Sequence, residues 1–492
     1  MTLPERWATV SFAEVTPPDA PIIYGILQPG PDHPGGVPYV RPTEISDSTI
    51  DIDALRRTST KIAEQYARST LKTADTILTI VGTIGKVAEV PAELEGANIT
   101  QSSCRIRADR ALVEPAFVRR FLRSPSATAQ YQAKRLGTAV PRLNIADIRQ
   151  FELPLPPAPE QRRIVAKLDA LTARLARARA ELDRVPGLAA KLRRQVLVNA
   201  IEGGSINSGD FDGWTEHQRG ALAVRREAYL RDRRGSRLRS DVGTELEFLN
   251  GRRAGWLDCR LADVISLRVG YAFKSKDFSK TEGIPLVRGA NIAPGRLDWT
   301  EQARLPASIA SDFEAYSLAA GDIVIAMDRP VISTGLKIAQ LRPEDAGSLL
   351  VQRVANPRPT EWIDHEYLMV VLQSDLFMKQ IEIHATGTDL PHISGNDILT
   401  TPCPLPPLDV QKEIVRSVRA TFARADRLEA EAARTRALID RLESAILAKA
   451  FRGELVPQDP NDEPTSVLLD RIRAERAAAP KAKRGRRAKA DA

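Results

Sequence analysis

The chain has 492 residues but only three cysteines and five histidines, and this scarcity excludes several classes of protein. Cys104, Cys259 and Cys403 are isolated from one another, so no CxxC pair is available for a metal or redox site. An odd number of isolated thiols suits a reducing cytosol. The histidines form no HExxH pair, which argues against a transition-metal site. We therefore expect this chain to bind no metal.

Long apolar runs are also missing. No run of about 18 apolar residues occurs. The first residues lack the charged segment and apolar core of a signal peptide. The sequence therefore predicts a cytoplasmic protein that does not span a membrane.

Catalytic motifs are absent as well. The run GTIGK at 82–86 resembles half of a phosphate-binding loop, but the full motif needs glycine in place of Ile80 and serine or threonine in place of Val87. No G-x-G-x-x-G fingerprint, no G-x-S-x-G elbow and no Asn-Pro-Pro-aromatic motif of amino-methyltransferases occurs. We therefore predict no catalytic residues and no enzymatic activity in this chain.

The net charge of +8 is concentrated in two places. Residues 219–239 carry eight arginines, and the tail from Lys481 to Ala492 carries six basic residues. Basic blocks of this kind are usually solvated arms that can hold phosphates without sequence preference. Residues 256–402, in contrast, carry 14 basic and 19 acidic side chains. Any attraction of that segment to phosphate must come from the local placement of its charges.

The chain does contain a long helical stretch that occurs twice, 250 residues apart. The first copy begins with LPLPP at 153 and continues through EQRRIV to about Gly203. The second begins with CPLPP at 403 and continues through QKEIV to about Gly453. A proline-rich entry marks the start of a helix, because proline fits the first helical turn. A sustained internal repeat of this kind organises the whole fold.

Apolar residues in both copies recur in steps of four and three, which is the pattern of a coiled-coil seam. Each helix of about 40 residues would be roughly 60 Å long. Pro186, inside the first copy, predicts a kink. The alternative is a pair of ordinary amphipathic helices packed on nearby domains. The predicted helix-packing residues are Ile164, Leu168, Leu171, Leu175, Leu182, Leu192, Ile414, Val418, Leu428, Ile439, Leu442 and Ile446.

The segments that flank the long helices also repeat, with little identity. The strand patterns at 36–41 and 75–81 match those at 283–288 and 321–326. The predicted fold class is α+β, with two mixed α/β domains separated by two long helices. In chain order the layout is a mixed domain at 1–152, a long helix at 153–203, an Arg-rich linker at 204–255 with a short helix near 221–231, a mixed domain at 256–402, a long helix at 403–455, and a basic, largely disordered tail at 456–492 with a short helix at 465–478.

The doubled L-P-x-P-P and Q-x-x-I-V pattern, closed each time by an A-x-x-G segment, resembles the specificity subunit of type I restriction-modification systems. The resemblance covers about residues 7–456. It implies two target recognition domains, 1–152 and 256–402, each reading one half of a split DNA sequence. It also implies that the two helices form an antiparallel coiled coil with a pseudo-two-fold axis, which sets the spacing of the readers and docks partner subunits.

The resemblance implies the partners and cofactors as well. Double-stranded DNA, modification (methyltransferase) subunits, expected to be two, and a restriction subunit with motor and nuclease activity would bind this chain. S-adenosylmethionine, ATP and Mg²⁺ would belong to those subunits. A modification-only system is equally compatible with the sequence. The alternative functions are a coiled-coil scaffold with two protein-binding domains and a fused nuclease or methyltransferase.

Groove contacts with DNA require polar side chains on loops or strand ends. The loops bracketed by the repeated strands meet this requirement in both domains. They supply the predicted DNA-binding residues Arg41, Thr83, Lys86, Arg142, Arg288, Asn291, Arg329, Ser333, Lys337 and His392.

Overall fold

The computed structural model describes residues 3–46, 48–137, 140–204, 213–232, 246–247, 249, 253–333, 335–384 and 392–478. It divides into two compact units, one of Met1–Asp183 with Ala432–Ala492 and one of Arg184–Glu431. Each unit contains one mixed domain, the start of one long helix and the end of the other.

The first mixed domain is built around a four-stranded antiparallel sheet in the order β2-β10-β7-β8. Its strands are β1 (Ala8–Ser11), β2 (Ile23–Tyr24), β3 (Val37–Val40), β4 (Ile45–Ser46), β5 (Thr49–Ile50), β6 (Arg56–Thr58), β7 (Thr76–Thr79), β8 (Val87–Glu89), β9 (Asn98–Ile99), β10 (Ser103–Ile106) and β11 (Glu152–Leu155). Its helices are α1 (Thr60–Gln65), α2 (Pro115–Leu122), α3 (Pro125–Lys134) and α4 (Ile145–Arg149), and the long helix α5 (Ala158–Ile201) follows.

The second mixed domain has the equivalent sheet β13-β23-β18-β21. Its strands are β12 (Leu257–Arg260), β13 (Ile265–Val269), β14 (Ile284–Val287), β15 (Ile292–Ala293), β16 (Arg296–Leu297), β17 (Arg304–Leu305), β18 (Ile323–Ala326), β19 (Val331–Ile332), β20 (Gly335–Leu336), β21 (Ile338–Gln340), β22 (Leu349–Leu350), β23 (Val354–Pro359) and β24 (Pro402–Leu405). The helices are α6 (Glu216–Asp232), α7 (Leu261–Val264), α8 (Ala307–Ala310), α9 (His365–Leu372), α10 (Asp375–His384), α11 (Gly395–Leu399), the long helix α12 (Leu408–Ala450) and the C-terminal α13 (Thr465–Ala478).

The two domains share their topology as well as their central sheet. The sheet β6-β3-β9, with β3 and β9 parallel, corresponds to β17-β14-β22, with β14 and β22 parallel. The pair β1–β11 corresponds to β12–β24. The strands predicted at 36–41, 75–81, 283–288 and 321–326 are confirmed as β3, β7, β14 and β18. Little sequence identity is needed, because alternating buried apolar residues and turns specify the strands.

The repeated motif attaches each long helix to its domain through a buried glutamine. Gln161, in the first turn of α5, accepts a hydrogen bond from the Glu114 backbone N–H (2.8 Å). Its amide donates to the Leu112 carbonyl (3.1 Å) and the Pro156 carbonyl (2.9 Å). The motif therefore satisfies backbone groups that would otherwise be buried without partners.

Ion pairs join the two long helices within each unit. In the first unit Arg179 of α5 pairs with Asp440 of α12 (2.7 Å), and Asp183 pairs with Arg436. The position on α12 falls as the position on α5 rises, so these segments run antiparallel. The pairs in the second unit are Arg193–Asp426 and Arg193–Glu429. The helix α5 continues through Pro186.

Burial separates the predicted helix-packing residues into three groups. Ile164, Leu168, Ile414, Val418 and Ile439 are buried. Leu171, Leu175, Leu182 and Ile446 are partly buried. The prediction is wrong for three leucines, namely Leu192 (38% exposed), Leu428 (44%) and Leu442 (50%). Alanines of the same periodic pattern, Ala189, Ala425 and Ala432, are buried. Periodicity identifies an apolar stripe, but it does not say which of its members face the neighbouring helix.

The ends of the long helices pack into the domain cores. Phe451, directly after α12, lies in the core of the first unit. The centroid of its ring is 5.1 Å from the ring centroid of Phe117 and 5.2 Å from that of Phe121. Leu197, Ala200 and Ile201 of α5 lie in the core of the second unit. Each unit therefore contains a core built from both halves of the sequence.

The range 204–255 is more than a linker, which corrects the prediction. The short helix expected near 221–231 is α6, and Leu222 lies in the core of the second unit together with Trp214 just before the helix. The helix predicted at 465–478 is confirmed as α13. Its Leu469 and Ile472 are buried, so the prediction of a largely disordered tail is wrong for 456–478. Residues 233–245 and 479–492, which hold much of the basic charge, lie outside the described residues.

The two short helices are equivalent parts of the repeat. The buried residues Leu222 and Ile472 are 250 positions apart, and so are Arg226 and Arg476. Arg226 pairs with Asp263 in the second unit (2.6 Å). Arg476 pairs with Asp109 in the first unit (2.6 Å). Each short helix thus follows a long helix and joins the mixed domain of its own unit through an arginine.

A buried carboxyl group at the start of α5 makes the stability of the first unit depend on pH. Burial raises the pKa of Glu160, whose Oε2 accepts from the Trp7 indole (3.1 Å) and whose Oε1 has no hydrogen-bond partner among the described residues. A raised folded-state pKa favours the fold below the unfolded pKa, and this contribution is lost as pH rises through the folded pKa. We expect Glu160→Gln to stabilise the unit more at neutral pH than at about pH 4.

Urea unfolding of both proteins across this pH range measures the effect. Glu152→Gln changes an exposed carboxyl group in the same unit and serves as the control. Parallel stability profiles for Glu160→Gln and the parent chain would contradict the prediction.

Candidate nucleic-acid interface

A strand end and a loop meet at one edge of the first domain. Beyond β7, the Ile80 carbonyl accepts a hydrogen bond from the Leu143 N–H (2.8 Å), and the Gly82 N–H donates to the Pro141 carbonyl (2.8 Å). An antiparallel bridge joins Val81 to Arg142. We call Val81, Gly82, Ser102 and Arg142 the first loop cluster. The structure therefore places the predicted residues Thr83 and Arg142 at the same edge, and both are exposed.

The other two predicted residues of this domain have structural roles. Lys86 is partly buried, and its ammonium group donates to the Pro42 carbonyl (2.8 Å) and the Ile45 carbonyl (2.7 Å). Arg41 pairs with the buried carboxylate of Glu44 (2.5 Å), and this hydrogen bond raises the pKa of Arg41. Both cations hold the turn between β3 and β4, which corrects their assignment as free DNA contacts.

The second domain builds the same backbone frame. The Ile393 N–H donates to the Met327 carbonyl (2.9 Å), as Leu143 does to Ile80. The Met327 N–H donates to the Arg353 carbonyl (2.8 Å), as Ile80 does to Ser102. An antiparallel bridge joins Asp328 to His392. We call the residues at the equivalent positions the second loop cluster, namely Asp328, Arg329, Arg353 and His392.

The side chains of the second loop cluster contact one another at the surface. The Nδ1 of His392 lies 2.8 Å from the Asp328 carboxylate, and the Arg353 guanidinium lies 3.1 Å from both ring nitrogens of His392. The guanidinium is 3.5 Å from Asp328. In the tautomer protonated at Nδ1, His392 donates to Asp328, and the Arg353 guanidinium contacts the imidazole ring. Arg353 remains 52% exposed, so its guanidinium is both oriented and accessible.

The two loop clusters differ in charge although their backbones correspond. The positions of Val81, Gly82, Ser102 and Arg142 in the first domain correspond to those of Asp328, Arg329, Arg353 and His392 in the second. Gly82 has φ of +73° and Arg329 has φ of +46°. The turn therefore requires a left-handed residue, a conformation that costs a non-glycine residue about 1 kcal/mol or more.

The remaining predicted residues of the second domain occupy different environments. Lys337 is partly buried, and burial together with Arg329 lowers its pKa. Ser333 is exposed beside the β19–β20 hairpin. Arg288 donates to the Asn291 side chain and to the Glu301 carbonyl, both at 3.4 Å.

Asn291 is a wrong prediction. It is 1% exposed, and its amide donates to the Asp298 carbonyl (3.1 Å) and the Glu301 carbonyl (2.7 Å). Its hydrogen-bonding groups are already used inside the protein.

Sequence reasoning missed Asp328 and Arg353. Asp328 directly precedes the predicted Arg329, but its contact with His392 spans 64 positions. Arg353 joins the cluster through a backbone hydrogen bond to the end of another strand. The one available signal was that Arg353 directly precedes the strand β23.

No cluster of three or more His, Cys, Asp or Glu side chains suited to a metal ion occurs among the described residues. The three cysteines are buried, and burial raises the pKa of Cys104 to about 12. A thiol with such a pKa is a poor nucleophile. No described helix is long and apolar enough to cross a membrane.

Comparison with known sequences identifies the class of protein. The family described as "Type I restriction modification DNA specificity domain" matches residues 31–184 and 254–432, which is more than half of the chain. The two matched segments fall on the two topologically equivalent domains and the adjoining parts of the long helices. The chain belongs to this family and contains two copies of its domain.

Individual relatives agree with this assignment. The EcoAI specificity subunit of Escherichia coli is 40% identical over 162 residues, 33% of this chain and 27% of that subunit. The EcoKI specificity subunit of Escherichia coli K12 is 24% identical over 385 residues, 76% of this chain and 75% of that subunit. The chain thus aligns with well under two thirds of the EcoAI subunit.

Solved structures share the fold. A chain in the structure described as "Structural basis underlying complex assembly and conformational transition of the type I R-M system" superposes with a TM-score of 0.59, at 23% identity, over 92% of this chain and 100% of that one. The HsdS subunit of Thermoanaerobacter tengcongensis superposes with a TM-score of 0.55, at 24% identity, over 92% and 99%.

Proposed function

We propose that this chain is the DNA-recognition subunit of a type I restriction-modification complex and that its two domains read the two halves of an asymmetric, bipartite target. One observation carries the proposal. The two loop clusters share a backbone frame but present different side chains, with Arg142 as the one charge in the first and Asp328, Arg329 and Arg353 in the second. Base edges are distinguished by the pattern of donors and acceptors that a protein offers, so two such clusters read two different sequences.

The long helices set the spacing of these readers in our proposal. We propose that α5 and α12 form an antiparallel coiled coil and that the repeat is arranged about a pseudo-two-fold axis. The antiparallel ion pairs within the first unit and the buried alanines of both helices support this arrangement. Two-fold symmetry in a protein is matched by the spacing of its half-sites on DNA. The readers would therefore recognise two half-sites separated by a fixed, unread spacer.

The partners follow from the same proposal. Exposed leucines on the long helices, such as Leu188 (61% exposed) and Leu438 (59%), would dock two modification subunits and, where present, a restriction subunit. S-adenosylmethionine, ATP and Mg²⁺ would bind those subunits, which would carry out methylation and cleavage. This chain would contribute specificity in the cytoplasm.

The test is the methylation pattern of a host that expresses this chain together with its modification subunit. We expect N6-methyladenine at one bipartite, asymmetric sequence that depends on the chain. Expression of the modification subunit alone is the control. Methylation that is unchanged by the chain would contradict the proposal and favour a scaffold function.

A second arm of this experiment assigns the half-sites. Residues 12–151 are exchanged for those of another family member, which leaves the β1–β11 pair native. One half of the methylated sequence should change and the other should stay. A change in both halves would contradict the assignment of one reader to each domain.

A further inference from the structure

Two arginines of the second loop cluster adopt an unfavourable backbone conformation. Among the described residues, four non-glycine residues have positive φ, namely Ser48, Ala74, Arg329 and Arg353. Two of these four residues, Arg353 with φ of +69° and Arg329 with φ of +46°, belong to the second loop cluster. The counterpart of Arg329 in the first domain is Gly82, for which a positive φ is unstrained. Strained residues concentrate at sites where function depends on the side chain.

The surroundings of Arg353 distinguish between two uses of its charge. A residue that only attracts phosphate gains nothing from a neighbouring carboxylate, because the carboxylate repels the phosphate. Arg353 nevertheless lies 3.5 Å from Asp328, and His392 bridges the two side chains. A planar guanidinium that contacts both an imidazole ring and a carboxylate is restricted in orientation, which suits the bidentate recognition of one base edge.

We propose that Arg353 is a specificity-determining residue that reads a guanine in the half-site of the second domain, and that Asp328 and His392 position it. Arginine matches the O6 and N7 acceptors of guanine in the major groove, and this is the commonest specific contact between protein and DNA. The inference rests on the proposed function, since it names the base that one of the two readers selects. It predicts a G·C pair in the half-site assigned to residues 256–402.

The test is the Arg353→Gly variant, expressed with the modification subunit and compared with the parent chain. The methylated fraction is measured at the parent sequence and at each single-base change of it. We expect discrimination at one G·C pair to fall by roughly 5- to 150-fold, the range for one bidentate contact. The other positions of both half-sites should be read as before. Glycine relieves the positive φ, so the thermal unfolding midpoint should stay the same or rise.

Four further variants separate the contributions of strain, charge and geometry. Ala74→Gly relieves a positive φ in the first domain without changing charge and should leave the methylated sequence intact. Arg296→Ala removes an exposed positive charge elsewhere in the second domain and should also leave it intact. Arg353→Lys keeps the charge but loses the planar fork, so it should relax the same G·C pair. Asp328→Asn should relax that pair less than Arg353→Gly does.

The outcomes distinguish this inference from the proposed function. If the parent chain causes no sequence-dependent methylation, both are overturned. If the parent chain methylates a bipartite sequence but Arg353→Gly keeps full discrimination, only the inference is overturned. It is likewise overturned if the second half-site contains no G·C pair. A lowered unfolding midpoint with uniformly reduced methylation would identify Arg353 as structural and also overturn it.

Discussion

Replacing Gln411 with leucine is expected to lower the free energy of unfolding of the second unit by about 3–5 kcal/mol, since one buried and two part-buried backbone groups lose their partners at about 1–3 kcal/mol each before relaxation. The Gln411 side chain is 0% exposed. It accepts from the Asp364 N–H (2.6 Å) and donates to the Trp362 carbonyl (3.0 Å) and the Pro406 carbonyl (2.8 Å). Leucine has a similar volume but offers no hydrogen bond.

Tryptophan fluorescence during urea unfolding measures this loss. Trp7 lies in the first unit, and the other four tryptophans lie in the second unit, so the signal reports mainly on the second. Lys412→Ala changes the exposed neighbour and should cost less than about 0.5 kcal/mol. Gln411→Glu keeps the acceptor but loses both donors, and its effect should lie at or above that of the leucine variant. A loss below about 1 kcal/mol for Gln411→Leu would show that the motif glutamine does not support the junction.

Replacing Arg226 with alanine is expected to destabilise the same unit by about 3–5 kcal/mol, the cost of leaving one partner of a buried ion pair unpaired. The side chains of Arg226 and Asp263 are only 4% and 1% exposed. Burial lowers the pKa of Arg226, but the hydrogen bond to Asp263 and the nearby negative charges together outweigh this effect, and the pKa is raised. Arg226 also donates to the Asp258 carbonyl (2.8 Å), which joins α6 to β12. The alanine substitution therefore removes the ion pair of the Asp263 carboxylate with Arg226 and the hydrogen bond that joins α6 to β12.

The control is Arg231→Ala on the same helix. Arg231 pairs with Glu227 at 2.7 Å, but both side chains are about two-thirds exposed, so the loss should be within about 0.5 kcal/mol. The double variant Arg226→Met with Asp263→Asn removes both charges and should recover part of the stability. Equal stability of Arg226→Ala and Arg231→Ala would mean that α6 is not a structural part of the unit.

These two contacts explain how the repeat supports recognition. Gln411 fixes the start of a long helix to the loop before α9, and Arg226 fixes the short helix α6 to the start of the second domain. The first unit has the counterparts Gln161 and Arg476. Each proposed reader is thus held on a frame to which both halves of the sequence contribute. Its loop cluster can vary in chemistry while the frame is kept.

The sequence alone allowed the elements to be predicted where local signals are strong. The runs at 75–81 and 321–326 are β-branched and apolar, and they form buried strands. The short helix that the sequence predicts at 465–478 is α13. The linker and tail were misjudged because their high charge concealed the buried residues Leu222, Leu469 and Ile472.

The sequence predicts only part of the candidate site, because it does not show which polar groups the fold uses for its own hydrogen bonds. The repeated loops indicate Arg142, Arg329 and His392, and the structure places all three in the loop clusters beyond β7 and β18. Asn291 and Lys86 have the same polar character, yet the fold uses their hydrogen bonds internally. Whether a polar group is available to DNA depends on which carbonyls come near it.

The sequence by itself determined the duplicated layout, the position of both long helices and the absence of recognisable catalytic motifs. These features follow from periodicity, motif spacing and residue types, all of which can be read locally along the chain. Only the tertiary structure decided which leucines are exposed, which short helix completes which unit, and that Arg353, Asp328 and His392 form one cluster. The members of that cluster are up to 64 positions apart. Their proximity results from sheet pairing and core packing, which no local pattern encodes.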